Sequence, residues 1–196
     1  MIQVFLLRHG ETPWNADNNR YCGRTDAPLT AKGIEQAAAS REKLKHIAFD
    51  GVYASSLQRA RITAEIVTGK EVITDQRLIE LDFGDWELRT KEEFIAADPV
   101  LWNRWMSGEA GIKAGNTGET MEAAANRVSS FFRDLFEEKK KGTFLVAAHN
   151  AVNRFFLAQQ LGMPLHHYRR LWFDNGAVTE FVIEDNGDFV LRKLNA

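Results

Sequence analysis

Five short stretches of the chain have the hydrophobic pattern of strands. Residues 4–7 and 143–149 are almost wholly apolar, which is typical of strands buried on both faces, as in a parallel sheet. Residues 50–56 predict a third strand with a polar exit. Residues 177–184 and 189–194 flank the turn signal DNGD, so they predict an antiparallel hairpin.

Helical periodicity fills most of the chain between these strands. Amphipathic helices are predicted over residues 29–47, 56–69, 120–142 and 150–162. Thr30 is expected to cap the first helix, with Ile34, Ala37, Ala38 and Leu44 on one face, and Gly69 to end the second. Strands that alternate with helices predict βαβ units and a mostly parallel sheet covered on both faces.

Residues from about 81 to 118 break this alternation. Its later part, residues 98–118, contains two tryptophans, Trp102 and Trp105, and three glycines in its last eight residues. We predict a partly helical insertion that lies over the active site, in which the tryptophans mainly pack and partly act as a lid. The predicted architecture is one domain, residues 1–196: a three-layer α/β/α sandwich whose mostly parallel central sheet carries an antiparallel C-terminal edge hairpin.

The composition limits the kinds of molecule that the protein is expected to bind. The 196 residues carry a formal net charge of −2, which argues against nucleic-acid or membrane binding through bulk positive charge. No stretch approaches the roughly 18 apolar residues that a membrane span needs. A single cysteine excludes a disulfide within the chain, and the first apolar run is short and interrupted by an arginine. We therefore expect a cytoplasmic protein, with no prediction of its oligomeric state.

Several predicted strands lead to basic side chains at the same edge of the sheet. Arg8 and His9 follow the first strand, the third predicted strand leads into a helix that carries Arg59, and His149 ends residues 143–149. In a doubly wound sheet, ligands bind beyond the carboxyl ends of the strands. Two arginines and two histidines are therefore expected to converge in one pocket.

Such a cluster of basic groups suits a phosphoryl group. An arginine remains protonated and offers a planar fork that matches phosphate oxygens, whereas packed cations repel one another unless an anion lies between them. A neutral imidazole can attack phosphorus and form a phosphohistidine. An isolated RHG sequence could equally be an ordinary ion pair, but Arg59 and His149 at matching strand ends favour the phosphoryl site.

Six segments, in order, resemble a known family. The segment LLRHGETPWN resembles the signature of the histidine phosphatase superfamily, phosphoglycerate mutase-like branch. The segments DAPLTAKGIEQA, VYASSLQRARITAEI, LIELDFGDWE, GNTGET and AAHN are similar to its further motifs. The resemblance covers nearly the whole chain. It implies that His9 is the nucleophile, and that Arg8, Arg59 and His149 bind the phosphoryl oxygens, with Asn15 as an additional neutral donor.

The resemblance also assigns Glu80 as the group that protonates the leaving oxygen and then takes a proton from water. Chemistry alone would allow Asp82, Asp85 or Glu87 in the same segment to serve. Glu80 follows two apolar residues and is expected to be partly buried, which favours the protonated form of a carboxyl group.

Three positions depart from the family pattern. Cys22 stands where the family frequently has glutamine or threonine facing the ligand. If Cys22 faces the ligand, either the backbone of Gly23 contacts the substrate or the leaving group is less polar. Alternatively, Cys22 is only a small buried thiol. No arginine follows Cys22 at the spacing of a C-x5-R phosphate loop, so a phosphatase with a nucleophilic cysteine is not expected. Leu88 replaces the usual glycine of WEG, and Asn150 replaces the glycine after the second histidine. Asn150 would place an amide beside the pocket.

The resulting prediction is a phosphomonoesterase that hydrolyses a small-molecule phosphate ester through a phosphohistidine. Neither metal nor other cofactor is expected, since HExxH, CxxC and paired-aspartate patterns are absent. A cofactor-dependent phosphoglycerate mutase is the first alternative, although the insertion has Arg89 and Arg104 rather than adjacent arginines. A non-catalytic binding domain is the second. Because the insertion lacks a basic run, we expect a monophosphate with a partly apolar leaving group.

Overall fold

A six-stranded mixed sheet forms the centre of the protein in the computed structural model, which describes residues 1–196. Its strands are β1 (Ile2–Arg8), β2 (Gly51–Ala54), β3 (Ile73–Thr74), β4 (Gly142–Ala148), β5 (Val178–Ile183) and β6 (Phe189–Lys193). The order is β3-β2-β4-β1-β5-β6. The first four strands in this order are parallel, whereas β5 pairs antiparallel with both β1 and β6. The predicted sheet with its antiparallel edge hairpin is confirmed, and only the two-residue β3 was not predicted.

Seven α-helices surround the sheet. They are α1 (Pro13–Ala16), α2 (Ala31–Leu44), α3 (Gln58–Thr68), α4 (Lys91–Ala97), α5 (Pro99–Ser107), α6 (Met121–Lys139) and α7 (Asn150–Gln160). The four predicted amphipathic helices are α2, α3, α6 and α7, and Gly69 ends α3 in the left-handed conformation as expected. Short 3₁₀ helices occupy Gln76–Leu78, Gly84–Trp86 and Leu165–Arg170. None of the helices combines the length and apolarity that would let it cross a membrane.

The apolar run in β1 is explained by its two buried faces. Val4 and Leu6 belong to the larger core cluster, which the sheet shares with α6 and α7. Phe5 and Leu7 point to the opposite side and join the smaller cluster with α2 and α3. Because successive side chains of a strand alternate between faces, consecutive residues of a strand in the middle of a three-layer sandwich are buried on both sides.

Helix α2 is rotated relative to its predicted face. Thr30 caps it as expected, accepting a hydrogen bond from the Gly33 N–H at 3.0 Å. Ile34 and Ala38, however, are exposed, so the prediction that they share the buried face with Ala37 is wrong. The backbone of Gly33 packs against the loop after β1, where an added Cβ would lie 2.2 Å from a backbone oxygen. This close approach, which only glycine permits, sets the rotation of the helix.

The predicted insertion is partly helical and packs onto the main core. It contains α4 and α5, and Trp105 is buried with edge-to-face contacts to Trp86 and Phe155 of α7. Trp102 is half-buried and contacts Trp86. Packing of the tryptophans is therefore observed, and Phe83 is the residue of the insertion that reaches the cavity described below.

Candidate active site

The register of two neighbouring strands brings the histidines together. Arg8 of β1 pairs with Ala148 of β4, so the next residue of each strand, His9 and His149, lies at the same edge. Their ring centroids are 5.1 Å apart, and both side chains are buried. Arg59 lies beside them and donates a hydrogen bond to His149. The predicted convergence of two histidines and two arginines is what the structure shows.

Backbone contact fixes the tautomer of His9. Its Nδ1 lies 2.7 Å from the carbonyl oxygen of Gly10. Because a carbonyl oxygen can only accept, Nδ1 carries the hydrogen and Nε2 keeps a free lone pair. Burial lowers the pKa of His9 well below its usual value, and the charges of Arg59 and Arg8 lower it further. His9 is therefore a neutral imidazole with an available nucleophilic nitrogen.

The opposite tautomer follows for His149. Its Nδ1 accepts from Nε of Arg59 at 3.2 Å, so its hydrogen lies on Nε2. This Nε2 is buried and has no hydrogen-bond partner in the protein. Burial, together with the charge of Arg59, lowers the pKa of His149 well below its usual value. His149 thus presents a neutral, unused N–H donor, which is suited to an oxygen of a bound ligand.

Most of the N–H donors of Arg59 bind backbone carbonyls of one loop, residues 22–25. Nη1 donates to the carbonyl of Thr25 at 2.8 Å, and Nη2 donates to the carbonyls of Gly23 at 2.8 Å and Cys22 at 3.2 Å. With Nε bound to His149, this buried guanidinium both holds the loop and orients the second histidine. The structure therefore gives Arg59 a positioning role in addition to its positive charge.

Arg8 retains free donors at the site. Nη1 donates to the carbonyl of Phe173 at 2.6 Å, whereas the buried Nε has no partner. Burial lowers the pKa of Arg8 to about 10, and the charge of Arg154 contributes. The guanidinium is still protonated at neutral pH, so it offers charge and unused N–H groups to an anion.

Glu80 is held by the first turn of α7. Its buried carboxyl group accepts hydrogen bonds from the N–H groups of Leu81 at 2.8 Å, Ala151 at 3.1 Å and Val152 at 3.2 Å. The side chain of the N-cap residue His149 makes no capping bond, so Glu80 satisfies these helix donors from another part of the chain. Three N–H donors hold the buried carboxyl group in a fixed orientation at the edge of the cavity.

The other candidate carboxylates face elsewhere. Glu87 accepts from the backbone N–H groups of Gly23 and Thr25, and Asp82 accepts from Gly84. Among the four acidic residues of the segment, only Glu80 lines the cavity. The predicted substrate contact of Gly23 is not seen, because its N–H is already bound to Glu87 and the residue does not line the cavity.

The three remaining predicted residues line the cavity. The amide oxygen of Asn15 accepts from Thr12 and Asn175, which leaves its NH2 group as the free donor. The Oδ1 of Asn150 is buried without a partner. Burial raises the pKa of the Cys22 thiol to about 11, so the residue is a thiol at neutral pH and not a nucleophile.

The cavity measures about 440 Å³, is lined by His9 but not by the fully buried His149, and extends well beyond both histidines. Sequence reasoning missed most of its outer wall, which consists of Arg20, Tyr21, Arg154, Tyr168, Arg169, Trp172, Phe173, Asp174 and Asn175. Arg154 could have been found, because it follows Asn150 by four residues on a predicted helix and therefore shares its face. The segment 165–175 has no strand or amphipathic pattern that points to the site.

Acidification is expected to destabilise the protein through His9 and His149. Both pKa values lie below the usual 6.5 in the folded state, so below pH 6.5 the unfolded chain binds protons that the folded protein does not. Stability therefore falls as the pH falls. While both rings stay neutral, the free energy of unfolding should decrease by about 3 kcal/mol between pH 7.5 and 5.5, from two linked sites.

Urea unfolding at the two pH values measures this loss. Replacing His149 by glutamine removes one titrating ring, so the loss should shrink to about half, near 1.4 kcal/mol. An unchanged free energy of unfolding in the native protein at pH 5.5 would mean that the buried rings accept protons without cost, contrary to the geometry.

Two neutral histidines and two buried arginines at the carboxyl edge of a mixed sheet suit an enzyme that acts on phosphate esters. Comparison with family models agrees: the model described as histidine phosphatase superfamily (branch 1) matches residues 4–196. The chain therefore belongs to this superfamily. The resemblance noted in the sequence is confirmed, as is the prediction of a phosphatase of this superfamily.

The similarity to individual relatives extends over nearly the full length of both chains. The adenosylcobalamin/alpha-ribazole phosphatase of Escherichia coli (strain K12) is 34% identical, covering 100% of this chain and 96% of the relative. A probable phosphoglycerate mutase of Enterobacter sp. (strain 638) is 32% identical, covering 95% and 87%. A solved structure of a histidine-to-alanine mutant of Entamoeba histolytica phosphoserine phosphatase, in complex with phosphoserine, is 31% identical with a TM-score of 0.91, covering 100% and 98%.

Proposed function

We propose that the protein is a metal-independent phosphomonoesterase that hydrolyses a small phosphorylated metabolite through a phosphohistidine. The observation that carries the proposal is the pair of opposite tautomers. His9 has a free Nε2 lone pair, and His149 has an unused Nε2–H. A nucleophile beside a donor for phosphoryl oxygens is the arrangement that this chemistry requires. Phosphatase names among the relatives support the proposal.

In the first half-reaction, Nε2 of His9 attacks phosphorus while the bond to the leaving oxygen breaks. The free donors of Arg8, together with Nε2–H of His149, bind the phosphoryl oxygens as charge spreads over them. Glu80 donates a proton to the leaving oxygen.

In the second half-reaction, water attacks the phosphohistidine. Glu80, now ionised and held by its three backbone N–H donors, takes a proton from the water. The bond between phosphorus and Nε2 breaks, and neutral His9 is restored. The Nδ1–H bond to Gly10 persists throughout and keeps the attacking nitrogen aimed at the ester.

Hydrolysis is favoured over the mutase alternative by the arginines of the insertion. Arg104 is paired with Glu109, and Arg89 donates to the backbone of Glu93. Neither lines the cavity, so the insertion offers no free pair to retain a released phosphoglycerate. A non-catalytic binding domain is disfavoured because the nucleophile and the acid both lie in the cavity. We place the activity in the cytoplasm, as expected from the composition.

The decisive experiment is hydrolysis of p-nitrophenyl phosphate and of a panel of cellular monophosphates in the presence of EDTA. We expect release of inorganic phosphate that EDTA does not reduce. Loss of activity in EDTA would contradict the metal-independent route. Interconversion of phosphoglycerates that is faster than their hydrolysis would establish a mutase instead.

A further inference from the structure

Arg154 is a buried cation that the catalytic steps above do not use. It lies on α7 in the wall of the cavity and is only 7% exposed. Its Nε is completely buried without a partner, and the protein supplies neither a hydrogen-bond acceptor nor a salt-bridged carboxylate to its guanidinium. The aromatic ring of Trp172 lies 5.7 Å from it. Burial of an unpaired charge is costly, so such an arginine indicates a missing anionic partner.

In the steps proposed above, Arg8 and His149 bind the phosphoryl oxygens, which leaves Arg154 without this partner. Arg8 lies beside His9, where the phosphoryl group must bind. Arg154 lies one helical turn beyond Asn150, towards the outer aromatic wall formed by Tyr168 and Trp172. A ligand that reaches both arginines needs a second acceptor on the side of its leaving group.

We propose that Arg154 binds a carboxylate on the leaving group, so that the substrate is a small phosphate ester of a hydroxy acid. This inference rests on the proposed phosphatase function and names its substrate class. The planar guanidinium forms two parallel hydrogen bonds with a carboxylate. The proposal also revises the expectation of a partly apolar leaving group. The aromatic wall contacts the carbon skeleton of the leaving group, while Arg154 binds its carboxylate.

A second phosphate fits this end of the cavity less well. A dianion would need more than one free cation, and the other outer arginines are already engaged. Arg20 is paired with Asp17 and Glu93, and Arg169 donates to the hydroxyl of Tyr21 at 2.8 Å. Arg154 is the outer arginine that has no hydrogen-bond acceptor in the protein, and its planar guanidinium matches one singly charged carboxylate.

The test compares two esters that differ only in the carboxylate, O-phosphoserine and phosphoethanolamine. We expect native kcat/KM to favour phosphoserine by about 10-fold or more, as charge-assisted hydrogen bonds allow. In Arg154→Met this ratio should fall to about one, mainly through KM, and Arg154→Lys should restore part of it. Arg133→Met, which removes an exposed arginine outside the cavity, should keep the native ratio.

A structural role for Arg154 predicts different results. Removing an unpaired buried cation should leave the thermal midpoint unchanged or raise it, whereas loss of a structural arginine would lower it. A lowered midpoint, or a ratio unchanged in Arg154→Met and Arg154→Lys, would overturn the proposal. So would native preference for phosphoethanolamine or for a bisphosphate.

The proposed function can fail separately. If the native protein hydrolyses no ester, p-nitrophenyl phosphate included, the phosphatase proposal is wrong. Calorimetric titration with phosphoserine and phosphoethanolamine then tests Arg154 by affinity alone. Equal affinities for the two esters would overturn the inference, and tighter binding of phosphoserine that Arg154→Met abolishes would support it.

Discussion

Replacement of His9 by alanine is expected to lower kcat for p-nitrophenyl phosphate by about 10⁴-fold or more, since removal of a covalent nucleophile has effects of this order. The structure gives the reason: the free lone pair on Nε2 depends on the Nδ1–H bond to Gly10, and no other cavity residue offers a neutral nitrogen base. Neither His149 nor Cys22 can substitute for it. His149 carries its hydrogen on Nε2 and its Nδ1 accepts from Arg59, and the thiol of Cys22 is protonated.

The measurement is steady-state hydrolysis in EDTA, followed by rapid quenching to trap the phosphoenzyme. The native protein should yield an acid-labile, base-stable phosphoryl adduct, and His9→Ala should yield none. His167→Ala is the matched control, because His167 does not line the cavity. A His9→Ala variant that retains a tenth of native activity would refute the phosphohistidine mechanism.

Replacement of Glu80 by glutamine is expected to lower kcat by about 10²- to 10⁴-fold for alkyl phosphates, which is the usual contribution of general acid–base catalysis. The effect should be much smaller on the first half-reaction with p-nitrophenyl phosphate, whose leaving group departs as a stable anion and needs little protonation. The glutamine oxygen can still accept from the first turn of α7, so the fold should persist. The carboxyl proton is what the variant lacks.

A comparison of p-nitrophenyl phosphate with alkyl phosphates separates the catalytic role of Glu80 from its role in capping α7. Burst kinetics with p-nitrophenyl phosphate should show a rapid release of nitrophenol and a slow turnover, because water attack on the phosphohistidine still needs a base. Glu80→Ala should in addition lower the free energy of unfolding by about 1–3 kcal/mol, since it leaves buried helix N–H groups unsatisfied. Asp85→Asn is the control, as Asp85 lies outside the cavity. An equal loss with all leaving groups would indicate that Glu80 only positions α7.

The two functions of Glu80 are connected in one structure. Its carboxylate bonds to the N–H groups of Ala151 and Val152, directly after His149 and Asn150. The proposed acid and the second histidine are therefore fixed to the same helix end.

Local pattern alone was sufficient for much of this protein. The apolar runs predicted β1 and β4, and periodicity predicted α3, α6 and α7. The catalytic cluster could also be predicted, because His9 and His149 directly follow strands whose carboxyl ends share an edge in a parallel sheet. These features depend on neighbours within a few residues, or on a general rule of sheet topology, and both are readable from the chain.

Tertiary structure alone decided the details that give the site its chemistry. The tautomer of His149 depends on Arg59, and the orientation of the Glu80 carboxyl group depends on a helix about 70 residues further along the chain. The rotation of α2 depends on a close backbone approach at Gly33, and the outer wall of the cavity depends on segment 165–175. In each case a side chain finds its partner across the fold. The hydrophobic pattern specifies which residues are buried but not which donor meets which acceptor. That pairing leaves the Nε2 lone pair of His9 free and Arg154 without an acceptor in the protein.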